Sequence, residues 1–461
     1  MGGRSLPPGP RLKTGSGGAE AQGEMTARPL LLRRSLAVPV LLAVLALAGL
    51  PAAARGGAHR AADPAWAAGE AGSGPVAWRS VPEITPPRRS GAASGIRWSD
   101  VPRRHWARQA VDFVAATNDW MRDRGPDPDG TYRFEPEALE TRALFARAVV
   151  RAFAPDVPAA PEVSFADLPV EDRLFASANV AVSLGWMVAD EQGNFRPAEP
   201  VTMREVHRAL VLALGMGDLA AGADALHLRN GTAIPVPPDF GTTLIGMRLG
   251  LRYDHDDESL EVVPDSPLPR AEVAWSLYRA ATAPSWMRDS LSPYATMRLP
   301  NLSPKLQQLA AFAASYVGYP YVWGGEWDGP TPLGYCCGPQ ATGGFDCSGI
   351  TWWVLKAESG GWDNRPPRAY RGWALPERSS AQMAAVGDRV AWEDLRPGDL
   401  MFYDGNGDGT VDHVNTYLGN GWAIDSASGN TGVTITSVRG NWYEERFVHG
   451  RRILGRPSTV S

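Results

Sequence analysis

The chain repeats itself, and no other feature constrains its fold as much. Trp98-Ser-Asp-Val-Pro102, His105-Trp106-Ala107 and an apolar helical pattern through Val111 and Val114 lead to a turn at Pro128-Asp129-Gly130. Phe134-Glu-Pro136 and Thr141-Arg142-Ala143 follow, opening a second helix. The same order returns from Phe165-Ala-Asp167: a helix to Leu184-Gly185, a turn at Gln192-Gly193-Asn194, Phe195-Arg-Pro197, then Thr202-Met-Arg204-Glu205. A third, degenerate copy keeps Leu249-Gly250-Leu251, an acidic turn at Asp254–Glu258, Val263-Pro264 and Pro269-Arg270-Ala271-Glu272. The period is roughly 60–70 residues. Each unit reads helix, loop, helix, with a residue placed to cap the second helix. Such a unit cannot bury its apolar stripe alone, so three must stack into one body.

The 461 residues leave room for more than this body. A net charge of −5 supplies no field for gripping nucleic acid, so no nucleic-acid partner is expected. Arg33 and Arg34 precede an apolar run from Leu36 to Leu50 that ends in Pro51-Ala52-Ala53-Ala54, the parts of a secretory signal. Pro39 and Pro51 interrupt the run, so no stable membrane span is expected. Residues 1–54 read as a signal peptide, with Met25 the better n-region start, and 55–95 as a flexible linker. The chain is therefore expected to leave the cytoplasm. Its three cysteines, Cys336, Cys337 and Cys347, are clustered, which excludes a distributed disulfide framework and a four-cysteine zinc site. No cofactor is implied.

From about Leu302 the pattern changes. Leu306 to Val317 reads as an amphipathic helix. Cys347 precedes a helix-period run, Ile350 to Leu355, and so falls at a helix N-terminus, where macrodipole and unpaired N–H groups favour thiolate. Such a thiolate needs a base. The downstream segments read as strands, and Asn420-Gly421 signals a two-residue hairpin joining the strands of His413 and Asp425. A symmetric register about that turn sets Asp425 near Thr416, so a bulge or slip is required to bring it to His413. Cys336 and Cys337 have three options: a bridge to each other, a bridge between molecules, or reduction. Helical and strand spacing makes most tryptophans of this region core, among them Trp352, Trp353, Trp362, Trp373 and Trp422.

The Trp-Ser-Asp-Val-Pro, His-Trp-Ala and Thr-Arg-Ala phrases resemble S-layer homology repeats, at 96–160, 161–222 and, degenerate, 223–284. That resemblance implies an all-α trimer of helix-loop-helix units that attaches secreted bacterial proteins to an anionic secondary cell-wall polysaccharide. The matching contact residues are Trp98, Trp106, Arg142, Arg270 and, displaced by one position, Arg204. Farther on, Pro320-Tyr-Val-Trp-Gly-Gly325, Phe345-Asp-Cys-Ser-Gly349, Pro397-Gly-Asp-Leu400 and His413-Val-Asn-Thr-Tyr-Leu-Gly-Asn-Gly421 are similar to the NlpC-type papain-like peptidoglycan endopeptidases over 302–457. This second resemblance implies an α+β domain, a Cys-bearing helix on a central antiparallel sheet, that hydrolyses peptidoglycan stem peptides, typically between D-γ-glutamate and a diamino acid. Carried over, Cys347 is nucleophile, His413 base, Asp425 the orienting group and Tyr321 an oxyanion donor with the Cys347 N–H. Asp346, Ser348 and Trp323 are the candidate substrate contacts.

Three departures accompany the resemblance. Asp425 stands where His is common, and a carboxylate there raises the basicity of His413. Glu326 to Gly343 is a long insertion holding Cys336 and Cys337. Asp404, Asn406, Asp408 and Asp412 resemble the first half of a calcium loop, but the twelfth position is Asn415, so a solvated hairpin turn is the preferred reading and no metal site is assigned. The combined expectation is an exported, wall-tethered cysteine endopeptidase working through a thioester. An amidase or acyltransferase on the same Cys–His pair and a catalytically idle envelope-binding protein are the alternatives.

Overall fold

The computed structural model describes residues 95–332, 335, 337–360, 375, 377–428 and 432–454. The expected signal peptide, nearly all of the linker, Cys336, Trp362 and Trp373 lie outside the described residues. In the central region α1 (Arg108–Val111) runs into a π-helical turn at Asp112–Thr117. Next come α2 (Arg142–Phe153), whose first turn is capped by the Thr141 side chain, and α3 (Phe175–Ser183). The capping box of Thr202 and Glu205 opens α4 (Met203–Ala213). Then follow α5 (Gly217–Ala223), a short hairpin of β1 (Leu226–His227) with β2 (Ala233–Ile234), α6 (Phe240–Arg248), α7 (Arg270–Thr282) and α8 (Ser285–Asp289).

Backbone bonds close the three units into a ring. Glu140 N–H donates to Leu268 O, Leu268 N–H to Val201 O, and Val201 N–H to Glu140 O, each at 2.9 Å. The first two units share one device: Asp100 accepts the N–H groups of Phe134 and Glu135, and Asp167 those of Phe195 and Arg196. These bonds hold Glu135 and Arg196 at φ of 60° and 59°, left-handed backbone that costs energy without such support. The third unit substitutes side-chain pairs, His255 with Glu272 at 2.5 Å and a buried Arg252–Glu261 pair.

The same ring corrects an expectation about the arginines. Arg142 is only 1% exposed; it donates to Phe195 O and Val188 O, pairs with Glu205, and covers the Phe195 ring. Arg270, also buried, donates to Phe134 O and Met121 O and pairs with Glu140 and Asp123. Neither guanidinium is presented to a polymer. Each fastens one unit to the next, because a buried cation must be fully paired. Arg204 is partly exposed and bonds Asp265 at 2.6 Å. Trp98 donates its Nε1–H to Asp112, and Trp106 stacks on Tyr253 at 4.5 Å.

The C-terminal region opens with α9 (Pro304–Ala314), capped by Ser303. A two-residue pairing of β3 (Glu326–Trp327) with β4 (Gly344–Phe345) leads to α10 (Cys347–Gly360) and α11 (Ser380–Met383). After β5 (Asp388–Val390), β6 (Leu400–Tyr403), β7 (His413–Gly419), β8 (Trp422–Ala427) and β9 (Gly432–Ser437) come α12 (Trp442–Arg446) and β10 (Phe447–Arg452). The sheet runs β5-β10-β6-β7-β8-β9, antiparallel throughout. Trp352 and Trp353 are fully buried where α10 packs on β7 and β8.

One apolar core runs through both regions. Gly318, at φ +101°, donates its N–H to Val433 O at 2.9 Å. A Cβ there would also strike Pro264 and Thr243 of the third unit. Tyr294 reaches across to donate its hydroxyl to Ile435 O at 2.7 Å. No helix among the described residues is long and apolar enough to cross a membrane.

Candidate active site

Asp346 sets the geometry of the nucleophile. Its Oδ1 accepts the Gly349 N–H at 2.5 Å and the Ser348 hydroxyl at 3.0 Å, capping the turn that Cys347 begins; Oδ2 accepts the Gly324 N–H at 3.0 Å. A side chain at Gly349 would collide with the Gly325 carbonyl, so the Tyr321–Gly325 segment lies directly on the start of α10. Arg378 closes this arrangement. Buried at 3% exposure, it donates to Glu326 at 2.7 Å, Asp346 at 3.1 Å, Ser348 at 2.7 Å and the Gly325 carbonyl at 2.9 Å. Sequence reasoning missed it, because its only local signal is a charge just ahead of the capping box of α11. Asp346 and Ser348, expected as substrate contacts, are instead buried and turned toward Arg378. Their polar atoms hold the nucleophile helix.

The base is placed by a β-bulge. Gly419 pairs with Trp422, but Tyr417 then pairs with Ala423 and Thr416 with Ile424, leaving one extra residue in β7 at Leu418. The shift moves Asp425 from the register of Thr416 to that of Asn415, which shares a face with His413. His413 Nε2 lies 2.9 Å from Asp425 Oδ1, and Asp425 Oδ2 accepts the Tyr443 hydroxyl at 2.5 Å. Nδ1 is the ring nitrogen that Asp425 does not engage, and the Cys347 side chain lies close enough to act on the His413 ring. Burial alone pulls the imidazole pKa down. The Asp425 carboxylate, its hydrogen bond and the Cys347 contact overcome this and hold the ring well above its ordinary value.

Tyr321 lies within electrostatic reach of Cys347. Burial first, then the charges of Cys347 and Asp346, raise its phenol pKa, so it keeps its proton and can donate. Trp323 is 49% exposed at the mouth of a cleft of about 300 Å³. Asp256–Ser259 of the third unit form one wall, Val322–Gly325 another and Cys337–Thr342 of the insertion the last. Burial raises the pKa of Glu258 in that wall; the Trp323 N–H opposes the shift, and Asp254, Asp346 and Asp257 add to it. Cys337 is disulfide-bonded, whereas Cys347 is free.

The loop after β6 is a turn whose carboxylates hold its own backbone. Asp404 accepts the N–H groups of Gly407, Asp408 and Gly409, and Asp412 those of Gly405 and Asn406. Among the described residues no cluster of three metal-ligating side chains occurs.

A helix bearing a free thiol, packed on an antiparallel sheet that supplies a carboxylate-braced histidine, defines a papain-like α+β domain. Residues 318–452 match the NlpC/P60 family, and the C-terminal region of the chain is an NlpC/P60 domain. Over 146 residues the chain is 32% identical to the murein DD-endopeptidase MepH of Escherichia coli K12, covering 31% of this chain and 44% of that protein. Over 140 residues it is 29% identical to the γ-D-glutamyl-L-lysine dipeptidyl-peptidase of Bacillus subtilis 168, covering 30% and 38%. The solved structure of the peptidoglycan hydrolase RipB of Mycobacterium tuberculosis is 31% identical with a TM-score of 0.24, covering 33% of this chain and 65% of that one. The chain thus spans less than half the length of either curated relative.

Proposed function

We propose that this protein is an exported, wall-associated cysteine endopeptidase that hydrolyses the peptide stems of peptidoglycan. The observation that carries the reading is the hydrogen-bonded row His413–Asp425–Tyr443, with Cys347 within electrostatic reach of both His413 and Tyr321. In the forward step the Cys347 thiolate attacks the amide carbonyl. The developing oxyanion is met by the Cys347 N–H and the Tyr321 hydroxyl. His413 then protonates the leaving amine as the tetrahedral species collapses to a thioester. It next takes a proton from water, which hydrolyses that thioester. Asp425 keeps the ring oriented and stabilises the imidazolium.

Related proteins named as peptidases of γ-D-glutamyl and D,D bonds support peptidoglycan peptides as the substrate class. Between these, the γ-D-glutamyl–diamino acid bond is our choice, on the phrases around Cys347 and His413. Digestion of defined muropeptides followed by mass spectrometry tests it. New termini at that bond are expected, and cleavage only at D,D crosslinks would reject the choice. For the central region, the repeat phrases and the ring of three units support an S-layer homology-type body that rests on an anionic wall polysaccharide. Arg204, Trp98 and Trp106 are the contacts that remain for it.

A further inference from the structure

The segment Val322–Gly325 carries Trp323 to the cleft and follows directly on Tyr321, so its backbone must be held still for an oxyanion donor to be held still. Three of its four N–H groups are satisfied within the C-terminal region: Val322 donates to Phe345 O at 3.3 Å, Gly325 to Val322 O at 2.9 Å and Gly324 to Asp346 at 3.0 Å. The fourth is not. Trp323 N–H donates to Oε1 of Glu258, 65 residues earlier in the degenerate third unit, at 2.6 Å. Glu258 sits on a turn braced from both sides. Asp257 caps that turn through the Ser259 N–H at 3.1 Å. Glu261 accepts the His255 N–H at 2.7 Å and pairs with buried Arg252, and His255 in turn bonds Glu272 on α7. The acceptor is therefore delivered from a rigid body. Asp254 and Glu258 also lie close enough to act electrostatically on the Tyr321 phenol.

We infer that Glu258 is a positioning residue of the active site: by accepting the Trp323 N–H, the third unit holds the Tyr321–Gly325 segment in the conformation that stabilises the oxyanion. This rests on the thiol chemistry proposed above, and it gives the degenerate unit a task other than wall attachment. The role predicts a split between two reactions of Cys347. Acylation by p-nitrophenyl acetate passes through an oxyanion, with p-nitrophenolate leaving as the thioester forms. Alkylation by iodoacetamide displaces iodide at carbon and needs no oxyanion.

Both rates are to be measured on the full chain, alongside the thermal midpoint, for wild type, Glu258→Ala, Glu258→Gln and Tyr321→Phe, and for Glu258→Ala combined with Tyr321→Phe. The expected result is acylation slowed roughly tenfold or more in Glu258→Ala, with alkylation and thermal midpoint near wild type. Glu258→Gln, whose amide oxygen still accepts, should retain most of the acylation rate. Glu258→Ala should add little in the Tyr321→Phe background. Unchanged acylation in Glu258→Ala overturns the proposal, as do equal losses in Ala and Gln or a parallel fall of both rates. Neither reaction uses a peptide. A protein that acylates normally yet releases nothing from stem peptides would defeat the proposed substrate and leave the Glu258 result standing.

Discussion

At the scale of single residues, Cys347, His413 and Tyr321 each sit in a short phrase of the sequence, whereas Asp425 stands 12 positions after His413 and reaches it only through the bulge. Two others were not legible there. Tyr443 meets Asp425 across 18 positions, and Arg378 meets Glu326 across 52; no periodicity encodes such contacts. Asp425→Asn removes the main support of the raised His413 pKa. The alkaline limb of kcat/KM should then move to lower pH, with activity down by roughly a hundredfold. The sign for stability follows from the same shift. The imidazolium–Asp425 contribution is fully present below the unfolded histidine pKa of about 6.5 and is lost as pH rises through the higher folded value. Thermal midpoints of wild type and Asp425→Asn, measured across pH, should therefore converge at alkaline pH. Arg378→Ala strands the buried Asp346 and Glu326 carboxylates and should cost about 3–5 kcal/mol in denaturant unfolding.

At the scale of elements, the hairpin turn and the need for a bulge followed from the spacing of His413, Asn420-Gly421 and Asp425. Its position at Leu418 did not, because either strand of the pair could have carried the extra residue. The acidic loop shows the converse. Its sequence reads half like a calcium cradle, and its carboxylates are consumed by Asx-type turns. Millimolar calcium or EDTA should accordingly leave the thermal midpoint and activity unchanged, as calorimetry and a turnover assay would show. The repeat phrases marked the second helix of each unit and, in the first two units, its Thr cap; α7 follows Pro269 without a side-chain cap. Burial of Arg142 and Arg270 was hidden, since the same arginine phrase serves equally to reach a ligand or a neighbouring unit. Arg142→Ala should therefore lower the thermal midpoint, where a pure ligand contact would weaken sedimentation with cell walls at constant stability.

At the scale of the molecule, composition and phrase boundaries mark where patterns change and carry no information on contact across them. The core shared by the two regions, with Gly318 against the third unit and Tyr294 against β9, is a long-range outcome of packing. Heating should consequently unfold the central and C-terminal regions in one cooperative calorimetric transition; two separated transitions would mean independent bodies. The most direct test of the whole account is incubation of purified sacculi with wild type and with Cys347→Ala, following soluble peptide by mass spectrometry. Release by wild type and none by Cys347→Ala is the predicted result. Equal release by both, or none from wild type while its Cys347 still alkylates rapidly, would contradict it.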